Sequence, residues 1–175
     1  AVGAYLRALE ADPEGRPDRA IRACRFLCSR GCFEDARRLI RGIERIHGEE
    51  LRKEDRKKLL KLRARLAVAA GAGEEEARVL EQIIGIDPLD GDALILLGRH
   101  SARKGDVEKA IFYFERAAGV EGFAADAKVR HAQLLVKQGK YKEALPLLRS
   151  AQKLEPRENV RKYLEQVERV AGRGK

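Results

Sequence analysis

Apolar side chains in the middle of the chain return at three- and four-residue steps. Leu94, Leu97, Gly98 and Ser101 are spaced this way, which places them on one face of an α-helix. After Gly105, the set Ala110, Phe114 and Ala117 does the same. The two segments predict a helical hairpin that reverses at Gly105, where a residue without a Cβ can take a left-handed turn. The pattern then repeats. Gly105 returns as Gly139, Ala110 as Ala144 and Ala117 as Ala151, each 34 residues on. Phe114 maps onto Leu148 and Gly98 onto Ala132, while Leu94 maps less well onto Lys128. Small residues let helix backbones approach closely, and the larger ones fill the space between. Pro88 and Pro156 stop the helices they follow. Asp106 is placed to cap the helix after it.

A helical-hairpin period of 34 with these residue types resembles the tetratricopeptide repeat family. With Gly91 as position 1, Leu94, Leu97 and Gly98 fall at positions 4, 7 and 8, Ala110 at 20, Phe114 at 24 and Ala117 at 27. Ser101 at position 11 and Gly122 at position 32 depart from the family's aromatic and proline. The repeat starting at Ala125 carries Ala132, Leu135, Ala144, Leu148, Ala151 and Pro156. Upstream, Pro17 as position 1 aligns Cys24, Gly31, Ala36, Ile40 and Ile43. A degenerate member lies between about Lys57 and Asp90, ending in Ile86-Asp87-Pro88, with Gly71-Ala72-Gly73 as an altered turn. Residues from Tyr5 to Pro13 read as the second helix of a truncated repeat, and Asn159 to Val170 as a polar-faced cap.

The resemblance implies an all-α fold, a right-handed α-solenoid of stacked antiparallel helix pairs closed by a C-terminal capping helix. It divides the chain into a truncated helix at 1–14, repeats at 17–50, 55–90, 91–124 and 125–158, and a cap at 159–171, within one continuous solenoid domain.

Composition fits that fold. Hydrophobic residues make up 44% of the chain and charged residues 37%, as expected when each helix has one buried and one solvated face. No apolar run reaches the length of a membrane span. The chain opens at Ala1, without Met, inside what reads as a helix, so it is expected to be a mature product or a fragment. The absence of a secretory pattern and an odd count of three Cys point to a reducing, cytoplasmic setting. The net charge of +9 favours acidic partners.

Candidate chemistry is sparse. Cys24, Cys28 and Cys32 lack the paired spacing and histidines of a zinc site, and Cys24 stands where the repeat needs a small buried residue. His47, His100 and His131 are isolated. There is no phosphate-binding glycine loop. Glu74-Glu75-Glu76 opens a helix, where it favours the dipole. The mixed-sign run from Arg52 to Lys61 reads as a salt-bridged, solvated helix face. The expectation is a non-enzyme without cofactor or metal.

The family resemblance implies a concave surface lined by positions 2, 5, 6, 9, 12 and 13 of the first helix of each repeat. Position 5 carries Ile21, Ile95 and Val129, and position 6 carries Arg22, Leu96 and Arg130. Position 9 carries Arg25, Arg99 and Gln133, and position 13 carries Ser29, Arg103 and Lys137. Position 2 is acidic at Asp18, Asp92 and Asp126. In the degenerate repeat Lys58, Lys61 and Arg65 join the set. The resemblance thus implies an apolar stripe flanked by cations, suited to a protein or peptide segment with apolar and acidic residues. Position 9 of the first full repeat is Arg25, which departs from the family's chaperone-binding clamp. Two alternatives stand beside this one. One is an RNA-binding helical repeat, disfavoured because the aromatics mostly sit outside the expected concave face. The other is a self-assembling subunit that pairs through the helix of residues 1–11.

Overall fold

The computed structural model describes residues 2–12, 16–71 and 73–173. Among them are ten α-helices: α1 (Val2–Ala11), α2 (Asp18–Ser29), α3 (Phe33–His47), α4 (Lys53–Ala69), α5 (Gly73–Ile86), α6 (Gly91–Lys104), α7 (Val107–Ala118), α8 (Ala124–Lys137), α9 (Tyr141–Leu154) and α10 (Glu158–Arg173). A short 3-10 turn, Gly48–Glu50, separates α3 from α4. The helices fall into two compact units, one ending at Ile86 and one beginning at Asp87. Ala1, Pro13 and Ala72, which figured in the expected truncated helix and altered turn, lie outside the described residues.

In the first unit α2 pairs with α3 and α4 with α5, while α1 packs on α3 and α2 on α4. Leu39, Ile40, Ile43, Leu59 and Leu62 fill the core with Cys24. Leu6 of α1 packs its side chain directly over Gly42. A Cβ at this position would collide with the side chain of Leu6.

In the second unit α6 pairs with α7 and α8 with α9, α7 packs on α8, and α10 covers α9. Here the small-to-large matching expected from the repeat is visible. A Cβ on Gly98 would lie 2.5 Å from Phe114. Ala132, Ala144 and Leu148 share one buried cluster with Val167 of α10. Asp106 accepts a hydrogen bond from the Lys109 amide at 3.1 Å, capping α7 as expected. Asp90 caps α6 in the same way through the Ala93 amide at 3.0 Å.

The hairpin turns set the register. Gly71, Gly105 and Gly139 have φ of 68°, 82° and 75°, a left-handed conformation that a side chain strains. They are spaced by 34, so the α4–α5 turn is in phase with the two later ones and Lys57 occupies position 1. Gly31 (φ 75°) lies 40 residues before Gly71, six more than the period. The surplus forms the 3-10 turn and an additional N-terminal turn on α4, which begins at Lys53, four residues before Lys57.

That additional turn changes the reading of the basic run. Asp55 is 0% exposed, and Leu59 and Leu60 are buried as well. The run is thus half core. Asp55 accepts hydrogen bonds from Arg52 at 2.5 Å and Lys58 at 2.9 Å. Burial pushes its carboxyl up, but the bonds from Lys58 and Arg52 outweigh this and leave it below the usual carboxylate range.

Candidate functional site

In the first unit the expected row of side chains does not form a shared surface. Ile21 is a correction: it is 2% exposed and belongs to the core with Cys24 and Leu59, because α4 packs on α2 and covers position 5. Arg22 and Arg25 are exposed on α2. Ser29 donates to the Phe26 carbonyl of its own helix at 2.8 Å. Lys58 is held by Asp55, and Lys61 is half-buried with a polar partner of its own. Arg65 is exposed near Cys28. Burial pushes the Cys28 thiol up, against a partial offset from the Arg65 charge. Burial and the neighbouring Cys28 push Cys24 up to about 12. Both thiols stay protonated near neutrality, which suits packing rather than metal ligation. Among the described residues no cluster of three or more His, Cys, Asp or Glu side chains could hold a metal ion.

A hollow of about 420 Å³ lies between α1 and the start of α2, with Ala4, Tyr5, Ala8 and Leu9 on one side and Arg16 and Arg19 on the other. The helix through which self-pairing was expected, α1, forms one wall of it.

The second unit brings the predicted residues together. A hollow of about 410 Å³ is lined by Arg99 and Arg103 of α6, Arg130, Gln133 and Lys137 of α8, and Tyr163 of α10. Ala102, Phe114, Leu134 and Val136 supply its apolar floor. The cations are thus positions 6, 9 and 13 of successive first helices, brought to one space by the stacking of the two hairpins. Among the described lining residues there is no carboxylate. Arg130 Nη1 points along its own helix to Gln133 Oε1 at 3.4 Å. Ile95 and Val129, expected as the apolar stripe, are half-buried and line no part of this hollow.

Two aromatics were missed. Tyr163 walls the hollow, and burial together with the neighbouring Tyr141 raises its hydroxyl above the ordinary value. The signal was present, since Tyr163 lies 34 residues after Val129 and so continues position 5 into the capping helix. Phe26 of α2 is 64% exposed on a first helix, where no aromatic was expected. Nothing in its spacing marked it.

The acidic position 2 has a structural use. Asp126 pairs with Arg157 at 2.5 Å, and Arg157 also pairs with Glu155. Asp18 lies 3.7 Å from Arg52. In both cases the acid at the start of one first helix meets an arginine just ahead of the next.

Residues 125–158 match the sequence profile of the Tetratricopeptide repeat family. Among solved structures, the MamA protein superposes with a TM-score of 0.71 at 15% identity, covering 93% of this chain and 84% of that one. A thermophilic TPR protein of Thermus thermophilus, TTC0263, matches at 18% identity with a TM-score of 0.59, over 95% of this chain and 88% of its own. An O-GlcNAc transferase of Thermobaculum terrenum matches at 23% identity and a TM-score of 0.58, over 67% of this chain but only 23% of the transferase. No curated protein matches the chain in sequence. Residues 125–158 are thus a tetratricopeptide repeat by sequence, and the chain as a whole shares the all-α fold of these structures, with its helices in sequential antiparallel pairs. Among the described residues no helix is long and apolar enough to cross a membrane.

Proposed function

We propose that the chain is a non-catalytic interaction scaffold whose second unit binds an extended or helical peptide segment carrying acidic and apolar residues. The observation that carries this reading is the hollow at α6, α8 and α10, where Arg99, Arg103, Arg130 and Lys137 converge over an apolar floor. Arginine grips a carboxylate through two parallel hydrogen bonds. The floor of Phe114 and Leu134 supplies desolvated contact, and the cations supply steering and register.

An RNA reading draws support from the net charge of +9. Yet only one of the two aromatic rings at the hollow, the half-buried Tyr163, is accessible, since Phe114 is buried, whereas single-stranded readers stack successive bases on several rings.

The test is affinity capture with the full chain beside an Arg99→Glu/Arg103→Glu form. Loss of captured protein partners with an unchanged helical circular dichroism signal supports the groove. Equal capture by both forms rules it out. Salt-sensitive RNA binding at physiological ionic strength, with no protein partner, would favour the RNA reading instead.

A further inference from the structure

The hollow of the second unit has walls on three sides, from α6, α8 and α10. This arrangement says more about the anion than the charge alone does. Arg103 is already engaged in an interaction of its own. Arg99, Arg130 and Lys137 remain, with Gln133 and Tyr163, both of them able to donate hydrogen bonds, in the same lining. A carboxylate carries one negative charge and accepts in its own plane through two oxygens. It satisfies one arginine fork well and leaves donors on the other walls without a partner. A phosphoryl group carries about 1.5 to 2 negative charges and three acceptor oxygens arranged tetrahedrally. It can accept from three directions at once.

We propose that this hollow seats a phosphorylated serine or threonine of the partner segment, between α6, α8 and α10. The proposal rests on the peptide-scaffold reading above and narrows its ligand. Arg99 and Arg130 approach the phosphoryl oxygens from α6 and α8, Lys137 adds a point charge, and Tyr163 donates from the capping helix. The apolar floor of Phe114, Leu134 and Val136 keeps water from one side of the group, which strengthens the charge pairing. It also takes aliphatic side chains that flank the phosphorylated residue. The capping helix then has two duties: it closes the core through Val160 and Val167, and it completes the seat.

The experiment uses the full chain and three terminally blocked pentapeptides. Their sequences are Ala-Leu-pSer-Leu-Ala, the same peptide with unmodified serine, and one with two adjacent glutamates in place of the phosphoserine. Binding is read by fluorescence anisotropy at about 150 mM ionic strength, and location by amide chemical shifts. The phosphopeptide is expected to bind at least about tenfold more tightly than the diglutamate peptide, with shifts on α6, α8 and α10. Arg99→Gln with Arg130→Gln should abolish that preference at an unchanged helical signal, and Tyr163→Phe should reduce it. Equal affinities for the phospho and diglutamate peptides, with shifts at these helices, would overturn the phosphate seat and leave the acidic-peptide reading in place. Shifts on these helices from none of the three would sink both.

Discussion

Both units carry cations on their first helices, and the fold places them differently. In the first, α4 covers position 5 of α2, Lys58 is tied to a buried carboxylate, and Ser29 bonds back to its own helix. In the second, the lining of the hollow holds no carboxylate among the described residues, and positions 9 and 13 of α6 and 6, 9 and 13 of α8 face one space. The difference comes from the six-residue surplus between Gly31 and Gly71. It adds a turn to α4 and places Asp55 under the first of the basic side chains. A row of cations read from the sequence therefore converges on one space in the second unit and not in the first.

This contrast can be broken from either side. The largest effect is expected from Ala144→Leu, since Ala144 is fully buried against Leu148. Overpacking there should cost about 3 kcal/mol, with amide shifts confined to residues after Asp87. A neutral effect would count against the repeat register. Next, Arg99→Glu/Arg103→Glu should weaken capture of an acidic peptide by about a hundredfold, as expected for losing two charge-assisted hydrogen bonds. The matched reversal Arg22→Glu/Arg25→Glu in the first unit should change it by less than about threefold, as surface charges do. Similar losses from both pairs would erase the distinction between the units. Third, Asp55→Ala should destabilise the first unit by about 2 kcal/mol in chemical denaturation. The carboxylate is buried, but Arg52 and Lys58 are partly exposed and can return to water. The smallest effect is one of pH. Because the Asp55 carboxyl titrates below its unfolded value, its contribution is complete above about pH 4 and is lost as the pH falls through the lowered value. Asp55→Asn should flatten the acid side of the stability curve, and an unchanged acid limb would argue that the pairing with Arg52 and Lys58 is not what holds the residue.

Much of the fold was legible because small residues leave an unambiguous mark. Gly98, Ala110, Ala117, Ala132, Ala144 and Ala151 return at one period, and the five alanines are buried while Gly98 packs against Phe114. The turn at Gly71 was not readable to the residue, since two glycines flank Ala72 and only the backbone conformation chooses between them. The cations of the second hollow were legible through the family's positions. Ile21 was misplaced because the same position is lining in one hairpin and core in another, depending on what stacks beside it. Tyr163 was overlooked for a related reason: a helix read as a cap was not carried into the count of lining positions.

The phase of the first unit has a practical consequence for anyone recombining these hairpins. Residue 58 and residue 92 are equivalent in a period of 34, but one is lysine and the other aspartate. Replacing residues 57–90 with residues 91–124 would keep Asp55 and set the carboxylate of Asp92 at the position where Lys58 now meets it. Asp55 would then lose a cation and gain a like charge beside it, and an Asp92→Lys change in the transplanted repeat would restore the pair.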